Sequence, residues 1–530
     1  MNKHPSQTQP VFRAGEPAAM NLEEAQPAGR ATMRSALPRP RWFLKQEWAP
    51  GAVLLFLDVA AWFLIYGFVS LTRGDAYYSS AFVFFVIDSL QVSVIVAALF
   101  TIGGYDRNTE TRSLVYATEH LLALLVAGVV SVALIYSAAT FDQTMKPSRS
   151  VVLVSFIIFL PVSLEYRRWL RGRVATTTAD RAYLVIGSGP MAQRFFEAYK
   201  HAPDRQQLHF VTLDAAEVGQ PLAGPGTPIL QGDLAGRLVG LERVYSGIIL
   251  AENPGALEPA LLDRLIRTQF QRTRVYTIES FYESQWRYVP LDAVDPVWPL
   301  QTGFQLARIS PYHHLKRLYD LGFAATLLVI SSPLLLLFAL LIWVTSGRPI
   351  FYSQTRVGRG GRPFTLYKLR TMKDRKRVGG RRKSEDGKEQ EQEQEQEQEQ
   401  EQEQEEEDIY TRKNDPRITP VGKFLRKLRL DELPQLWNVF VGEMSLIGPR
   451  AEWIKCAERY EKQIPFYHFR HLVKPGITGW AQVNYPYGES DKDAIEKLKF
   501  DLYYIRRYSL KLDAMIALKT VHVMLFSRGR

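Results

Sequence analysis

The sequence has almost no cysteine. Cys456 is the single cysteine in 530 residues, which excludes an intramolecular disulfide framework and is typical of a reducing compartment. A signal-peptide cleavage pattern is also missing, and residues 1–45 are expected to form a disordered cytoplasmic lead. The Glu/Gln tract 389–407 contains no apolar residue, so it cannot bury a core. We therefore expect no catalytic role for the low-complexity insert 373–408.

The charge of the chain is unevenly distributed. The formal net charge is +11, yet residues 385–408 hold fourteen acidic residues and one lysine. The remainder is therefore far more basic than the total suggests. Such a surface favours phosphate-bearing partners, which are nucleic acid, anionic lipid or a phosphorylated substrate.

Four long apolar stretches lie in the first third of the chain. They cover about residues 50–70, 81–100, 118–138 and 150–166. Each is close to the ~20 residues that cross a bilayer, and basic residues flank the first stretch and follow the fourth. The pattern predicts a four-helix transmembrane bundle over 46–172 with both ends in the cytoplasm. Asp58 and Asp88 lie inside the first two stretches, where packing or topology is favoured over ion transport.

A fifth apolar stretch follows much later. Residues 321–347 carry no charge, while basic residues stand on both sides of them. Pro333, preceded by Ser332, lies near the middle, and proline breaks or kinks a helix. We therefore predict a re-entrant helix–break–helix that enters and leaves on the cytoplasmic face. An ordinary kinked span is the alternative.

Residues 180–305 have the pattern of an α/β domain. A buried strand at 181–186 is followed by the G-x-G-x-x-A turn of Gly187, Gly189 and Ala192, and a helix is predicted at 193–200. Further parallel strands are predicted at 209–213, 247–250 and 274–278. A lone glycine turn is weak evidence for a nucleotide, so the pattern favours a structural or regulatory use of a Rossmann-like domain.

The segment 419–438 carries adjacent carboxylates, Asp431 and Glu432. Leucines at roughly helical spacing predict that the pair lies on a helix, with each carboxylate in a different setting. One carboxylate can then act as a nucleophile and the other as a base or metal ligand. A surface salt-bridge cluster is the alternative on this segment alone. Arg426 precedes the pair, Arg450 stands at a rigid turn, and Lys368 and Arg370 lie in a basic segment. Gly476, Thr478 and Gly479 form a glycine-rich turn beside Trp480. Arginines suit phosphate oxygens by their forked geometry, and glycines allow close backbone approach.

Taken in order, these motifs resemble the polyprenyl-phosphate sugar-1-phosphate transferases, in the large monotopic form of bacterial phosphoglycosyl transferases. The matching residues are Lys316-Arg317-x-x-Asp320, Ser332-Pro333, Asp431-Glu432, Ser445-Leu-Ile-Gly-Pro-Arg450 and Pro475-Gly-Ile-Thr-Gly-Trp480. The resemblance covers about residues 46–530, apart from the insert, which is longer than the family's usual loop. It implies a mainly helical catalytic domain over 311–530 with the re-entrant helix at its start.

The resemblance implies a mechanism. Asp431 attacks the β-phosphate of a UDP-sugar, with glucose or galactose favoured, and UMP leaves. The resulting aspartyl phosphosugar is transferred to undecaprenyl phosphate, the first membrane step of exopolysaccharide, capsule or O-antigen synthesis. Glu432 assists as a base or by positioning, and Mg²⁺ is expected with Asp431 as its ligand. Arg426 and Arg450 handle phosphate, and Lys368, Arg370 and the 476–480 turn are further substrate contacts.

The same resemblance implies a cellular location, an oligomeric state and a set of partners. We expect a multi-pass protein of the bacterial inner membrane with its catalytic domain on the cytoplasmic face, forming a homodimer and binding no nucleic acid. Two rival functions remain. One is an NAD-dependent nucleotide-sugar enzyme using the glycine turn, although no Tyr-x-x-x-Lys pair lies nearby. The other is a non-enzymatic membrane scaffold or regulator of polysaccharide length.

Overall fold

The computed structural model describes most of the chain from Trp48 onward. The described residues are 48–72, 81–106, 109–140, 148–178, 182–202, 206–232, 234–237, 245–252, 255, 257–271, 273–294, 298, 303–373, 417–485, 488 and 490–526. The lead 1–45 and nearly all of the insert 373–408 lie outside them.

Four apolar helices come first. They are α1 (Ala49–Thr72), α2 (Ala81–Thr101), α3 (Leu114–Ala138) and α4 (Arg149–Thr178). α1 packs against α4 and α2, and α3 packs against α2 and α4. Three of them are long and apolar enough to cross a membrane, and α2 contributes the shorter apolar segment Phe85–Thr101. The prediction of a membrane protein with helices in these four stretches is confirmed.

A parallel four-stranded sheet follows the bundle. Its strands are β1 (Ala182–Ile186), β2 (Gln207–Val211), β3 (Tyr245–Leu250) and β4 (Val275–Thr277), in the order β2-β1-β3-β4. The longer helices of this α/β domain are α5 (Pro190–Lys200) and α6 (Pro259–Gln271). Shorter helical turns are Ala215–Glu217, Leu234–Arg237, Ile278–Phe281, Tyr282–Trp286 and Leu291–Ala293. The four predicted strands and the helix after the glycine turn are confirmed.

The glycine turn between β1 and α5 has a geometric cause. Gly187 has φ +126°, and a Cβ atom there would lie 2.8 Å from the Ala251 carbonyl oxygen. Only glycine fits this close approach to the end of β3 without strain. The Glu252 carboxylate also lies against the turn, 3.3 Å from the same Cβ position. A negative charge there disfavours a phosphate at this turn.

The fifth apolar stretch forms one helix, α7 (Tyr312–Ser346), with Pro333 inside it. The predicted break into two helices at Ser332 and Pro333 is therefore wrong. Proline removes the hydrogen bond that Val329 O would have accepted, and the Ser332 hydroxyl donates to that same carbonyl over 2.8 Å. Serine side chains commonly satisfy backbone groups that proline frees in apolar helices. The sequence Ser-Pro thus keeps the helix continuous.

The remaining elements form the C-terminal region. A short helix, Phe304–Ile309, precedes α7. After α7 come the antiparallel hairpin β5 (Phe351–Val357) and β6 (Pro363–Leu369), α8 (Pro420–Lys427), α9 (Gln435–Val441), β7 (Ser445–Ile447), α10 (Ile454–Gln463), β8 (Gly476–Thr478), α11 (Asp491–Arg506) and α12 (Leu510–Phe526). Short turns at Arg359–Gly361, Leu430–Glu432 and Tyr467–Leu472 and the helix Trp480–Asn484 complete it. β7 and β8 pair in parallel, and α12 packs against α2 and α3.

The core of the C-terminal region includes residues from the end of the α/β domain. Val289 and Trp298 are buried in the same apolar cluster as Trp480 and Leu502. The buried Glu283 carboxylate also pairs with the guanidinium groups of Arg506 and Arg507, at the C-terminal end of α11. The α/β domain is thus joined to the C-terminal region by both apolar packing and ion pairs.

Candidate active site

The Asp431-Glu432 pair lies in a tight turn between two helices. α8 begins at Pro420, where the Thr419 hydroxyl accepts a hydrogen bond from Gly422 N over 2.9 Å. After α8, Arg429 adopts φ +55°, which interrupts the helical backbone, and a 3₁₀ turn over Leu430–Glu432 follows. The prediction that the pair lies on a continuous helix is therefore wrong. The left-handed residue ends the helical pattern that the leucine spacing indicated.

Glu432 is held by two cationic side chains. Its Oε1 atom lies 3.2 Å from Lys368 Nζ and 3.2 Å from Arg450 Nη2. Burial acts to raise the pKa of Glu432, but the charges of Lys368, Arg450 and Arg429 outweigh it and hold the pKa well below the usual range. Glu432 is therefore a fixed anion at neutral pH.

Asp431 has a different environment. It is only 8% exposed, and no described side chain donates a hydrogen bond to its carboxylate. Burial and the neighbouring Glu432 charge raise its pKa, and Lys368 and Arg426 oppose that rise. A carboxylate that is buried, that no described side chain engages and that lies close to cations is suited to act as a nucleophile.

Lys368 lies near the C-terminal end of β6, at the open end of the β5–β6 hairpin. Its side chain is one-fifth exposed, and burial lowers its pKa while Glu432 opposes that change. The fully buried Asn438 fixes the hairpin against α9, since its Nδ2 donates to Thr365 O over 2.7 Å and its Oδ1 accepts from Tyr367 N over 3.3 Å. Sequence reasoning missed this role of Asn438, although the residue closes the motif that contains the pair.

Arg450 is placed by the pairing of two glycine-rich segments. Gly476 N donates to Pro449 O over 2.8 Å, and a Cβ atom on Gly476 would lie 2.1 Å from Gly448 N. The buried Arg470 guanidinium then donates to the backbone carbonyl of Arg450 over 3.1 Å. The glycines thus permit close contact between the two segments that carry the arginine to Glu432.

The other predicted residues of the 476–480 turn also have packing contacts. The Gly479 Cβ position lies 2.1 Å from Gly448 O, and the Thr478 hydroxyl lies 2.7 Å from that of Thr520. Trp480 is 2% exposed and donates its indole N–H to Arg287 O over 2.9 Å. Their contacts to a substrate stay a prediction, whereas their part in holding the β7–β8 pair is visible.

Arg426 and Arg370 lie around the end of β6. Arg426 Nε donates to the Thr371 hydroxyl over 3.0 Å, and its charge acts on Asp431 from there. Arg370 donates to the backbone carbonyls of Met372, Arg348 and Pro349. Arg426 is thus within electrostatic range of the pair, and Arg370 contacts the segment that follows α7.

The Lys316-Arg317-Asp320 motif of α7 contacts the elements that surround the acidic pair. Lys316 pairs with Asp513 on α12, and Arg317 donates to the Val439 and Phe440 carbonyls at the end of α9 over 2.6 and 2.7 Å. Asp320 accepts from Leu446 N over 3.1 Å at β7. Sequence matching found these residues but assigned them no role. They tie the apolar helix to α9 and β7, the two elements that follow the acidic pair, and to α12.

The donor set is compatible with Mg²⁺ at Asp431. Among the described residues, no three histidine, cysteine or acidic side chains cluster into a metal cage. Mg²⁺ is commonly held by one or two carboxylates, with substrate phosphates and waters completing its shell. The Asp431 carboxylate, which no described side chain engages, fits that mode, and Glu432 is already occupied by Lys368 and Arg450.

Comparisons with known proteins match the region of the chain that contains this site. The model of the bacterial sugar transferase family matches residues 311–527. A UDP-N-acetylgalactosamine-undecaprenyl-phosphate N-acetylgalactosaminephosphotransferase of Aeromonas hydrophila is 39% identical over 228 residues, which are 42% of this chain and 48% of the relative. A UDP-glucose:undecaprenyl-phosphate glucose-1-phosphate transferase of Escherichia coli (strain K12) is 39% identical over 211 residues, 39% of each chain.

A shorter relative is covered almost completely. An uncharacterized sugar transferase of Bacillus subtilis (strain 168), EpsL, is 37% identical over 216 residues, which are 41% of this chain and 89% of the relative. By contrast, the match spans less than half the length of the Aeromonas and Escherichia relatives. The chain belongs to the bacterial sugar transferase family.

Proposed function

We propose that the protein transfers a sugar-1-phosphate from a UDP-sugar to undecaprenyl phosphate and releases UMP, as the first membrane step of polysaccharide synthesis. The observation that carries the proposal is the contrast between the two adjacent carboxylates. Glu432 is engaged by Lys368 and Arg450, while Asp431 is buried beside the same charges without a hydrogen bond from a described side chain. The names of the Aeromonas and Escherichia relatives support the donor and acceptor.

The proposed reaction has two displacement steps at one phosphorus atom. An Asp431 carboxylate oxygen forms a bond to the β-phosphorus of the donor, and the bond to the α-phosphate oxygen breaks, so UMP leaves with the electron pair. An oxygen of undecaprenyl phosphate then attacks the same phosphorus. The Asp431–phosphorus bond breaks, and the carboxylate and the polyprenyl diphosphate sugar are released.

The cationic residues around the pair have a clear use in these steps. Lys368, Arg426 and Arg450 supply positive charge where the diphosphate would lie, and guanidinium groups match phosphate oxygens in a forked geometry. Glu432 keeps Lys368 and Arg450 in place before the donor binds. Mg²⁺ at Asp431 would offset diphosphate charge and stabilise the leaving phosphate.

The acceptor's location fits the proposed path of α7. Ala324, before the proline, packs in an apolar cluster with Phe364 on β6, and Ile342, after the proline, packs in another with Leu369 on the same strand. A straight crossing would place the two halves of the helix in opposite leaflets of the bilayer. Contacts of both halves with one strand therefore support a re-entrant α7, with the catalytic region on the cytoplasmic face of the inner membrane.

The sugar and the assembly are further parts of the proposal. The two named relatives act on glucose and on N-acetylgalactosamine donors, so the family spans more than one hexose. Glucose or galactose is the expected sugar here, and resemblance to the large form supports a homodimer. Light scattering of the detergent-solubilised protein tests the dimer.

The test is UMP release by the purified full-length protein. Each member of a UDP-hexose panel is mixed with undecaprenyl phosphate and Mg²⁺, and both UMP and lipid-linked sugar are measured. We expect acceptor-dependent release with one or two donors, and complete loss in Asp431→Asn. The matched control is Asp263→Asn, which alters an exposed carboxylate of the α/β domain and should keep full activity. Failure of every donor, or wild-type turnover by Asp431→Asn, would contradict the proposal.

A further inference from the structure

The membrane bundle buries two aspartates, and they have opposite environments. Asp58 on α1 is 1% exposed, and Arg167 on α4 donates to its Oδ1 over 2.7 Å. Tyr105 donates to Oδ2 over 2.6 Å, and Tyr166 donates to Oδ1. This carboxylate therefore has a charged partner and hydroxyl donors that compensate for its removal from water.

Asp88 on α2 has no such compensation. It is fully buried, and neither of its carboxylate oxygens has a hydrogen-bond partner among the described residues. Gln91 lies one helical turn away and is also fully buried. Its amide nitrogen and oxygen likewise have no hydrogen-bond partner among the described residues. A buried polar group without a partner costs several kcal/mol in an apolar environment, and a charged one costs more.

Three other helices place buried polar atoms at the same level. The unpartnered atoms belong to Ser131 on α3, Ser155 on α4 and the indole nitrogen of Trp62 on α1. Asp88 is seven residues from the start of α2, Ser131 seven from the end of α3 and Ser155 six from the start of α4. At 1.5 Å per residue these positions lie about 10 Å inside the same end of the bundle. Gln91 and Trp62 lie about 15 Å inside it. These five residues are called the distal polar layer below.

The chemistry of the distal polar layer indicates what is missing. It offers a carboxylate, an amide oxygen and two serine hydroxyls, all of them hard oxygen donors that suit a hard cation. Among the described residues, none gives the Asp88 carboxylate the positive partner that Arg167 supplies to Asp58. We infer that the distal polar layer is a membrane-embedded site for one positive charge, taken up at Asp88 as a proton or as a hydrated monovalent cation.

Within the part of the chain that the structure describes, no side chain forms a hydrogen bond with Asp88 that could supply that charge. α2 packs against α1, α3 and α12. Their titratable and charged groups within the described residues are Asp58, Tyr66, Tyr116, Glu119, His120, Tyr136, Lys511, Asp513, Lys519 and His522. Lys511 lies over the Phe100 ring at the opposite end of α2. The inferred site is separate from the acidic pair, and it stands or falls independently of sugar-phosphate transfer.

The first test is thermal unfolding of the full-length protein in lipid nanodiscs. Asp88→Asn keeps the shape of the side chain but removes its charge, and it is compared with the wild type from about pH 6 to about pH 9. If a proton occupies the site, the wild-type midpoint falls as pH rises, because the carboxylate becomes charged, and the variant lacks this component. If a monovalent cation occupies it, Na⁺ or K⁺ raises the wild-type midpoint above that in choline at equal ionic strength, and the variant does not respond. Identical pH and cation responses of both proteins would overturn the inference.

The second test needs no variant and uses a hydrophobic carbodiimide on the wild type. This reagent modifies protonated carboxyl groups in apolar surroundings, and mass spectrometry locates the adduct. We expect modification of Asp88 that decreases with rising pH or added Na⁺ or K⁺, and none at Asp58, whose carboxylate is paired with Arg167. Absence of an Asp88 adduct under all these conditions would overturn the inference.

Discussion

At the scale of single residues, two adjacent carboxylates acquire different properties from different neighbours. Lys368 and Arg450 both lie 3.2 Å from Glu432 and keep it ionised. Asp431 is displaced from these contacts, and its pKa is raised by burial and by the Glu432 charge. When the pKa values of two neighbouring carboxylates are shifted in opposite directions, the two groups can take separate chemical roles.

The pKa of Asp431 leads to a prediction about the pH dependence of transfer. A nucleophilic Asp431 must be ionised, so kcat/KM should decrease as pH falls through its pKa, which burial and the Glu432 charge raise from the ordinary value. Glu432→Gln removes a charge that raises this pKa, so the acidic limb of the profile should move to lower pH. Steady-state kinetics over a pH series measures the acidic limb of the wild type and of Glu432→Gln.

Glu432→Gln also loses its contacts to Lys368 and Arg450, so its maximal activity should decrease as well. The prediction concerns the pH at which activity falls, not the size of that maximal activity. Asp263→Asn should leave the acidic limb where it is in the wild type. An acidic limb that moves to higher pH in Glu432→Gln would contradict the assignment of Asp431 as the ionised group.

At the scale of elements, local pattern predicted most of the molecule. The apolar stretches became α1 to α4, and the strand patterns became a parallel sheet, because burial of one face or of a whole strand leaves a readable period in the sequence. The turn at Asp431 was not readable. Its left-handed Arg429 lies where α8 packs against the Leu430–Glu432 turn and that turn packs against β6, and arginine gives no local signal for positive φ.

The continuity of α7 was misjudged for a related reason. Proline was taken as a break, yet Ser332 satisfies the carbonyl that the proline leaves free. The sequence Ser-Pro contains this compensation, but hydropathy and charge do not reveal it. The path of α7 therefore has to be read from what its two halves contact.

The re-entrant path of α7 is tested by cysteine accessibility. In a Cys456→Ala background, a cysteine replaces the exposed Arg359 beyond the end of α7, and a second protein carries Thr140→Cys at the end of α3. We expect an impermeant maleimide to label position 140 in intact spheroplasts and position 359 only after lysis, because a re-entrant helix returns the chain to the cytoplasm. Labelling of position 359 in intact spheroplasts would indicate a crossing helix.

At the scale of the whole molecule, buried polar residues join parts that are distant in sequence. Asp513 on α12 accepts hydrogen bonds from Tyr312 over 2.6 Å and from Tyr504 over 2.8 Å, and it pairs with the buried Lys316. α12 also packs against α2 and α3 of the bundle. The acidic pair is thus connected to the membrane bundle through α7 and α12. No spacing rule predicted these long-range contacts, because they depend on the assembled tertiary structure.

Removal of the Asp513 carboxylate should destabilise the C-terminal region strongly. Asp513→Ala leaves the Lys316 charge buried and unpaired, which typically costs about 3–5 kcal/mol of unfolding free energy. Asp263→Ala removes one side of an exposed pair with Arg267, and such pairs contribute about 0–1 kcal/mol. Thermal unfolding of the two variants in the same detergent compares them. Equal midpoints would show that Asp513 does not stabilise this region.

The measurement that tests the central claim most directly is detection of the covalent intermediate. The full-length protein is incubated with a UDP-sugar labelled in its β-phosphate, without acceptor, and protein-bound label is located by peptide mapping. The account predicts label on Asp431, none in Asp431→Asn, and transfer of the label to lipid when undecaprenyl phosphate is added. Formation of the lipid product without protein-bound label, with Asp431→Asn still active, would contradict it.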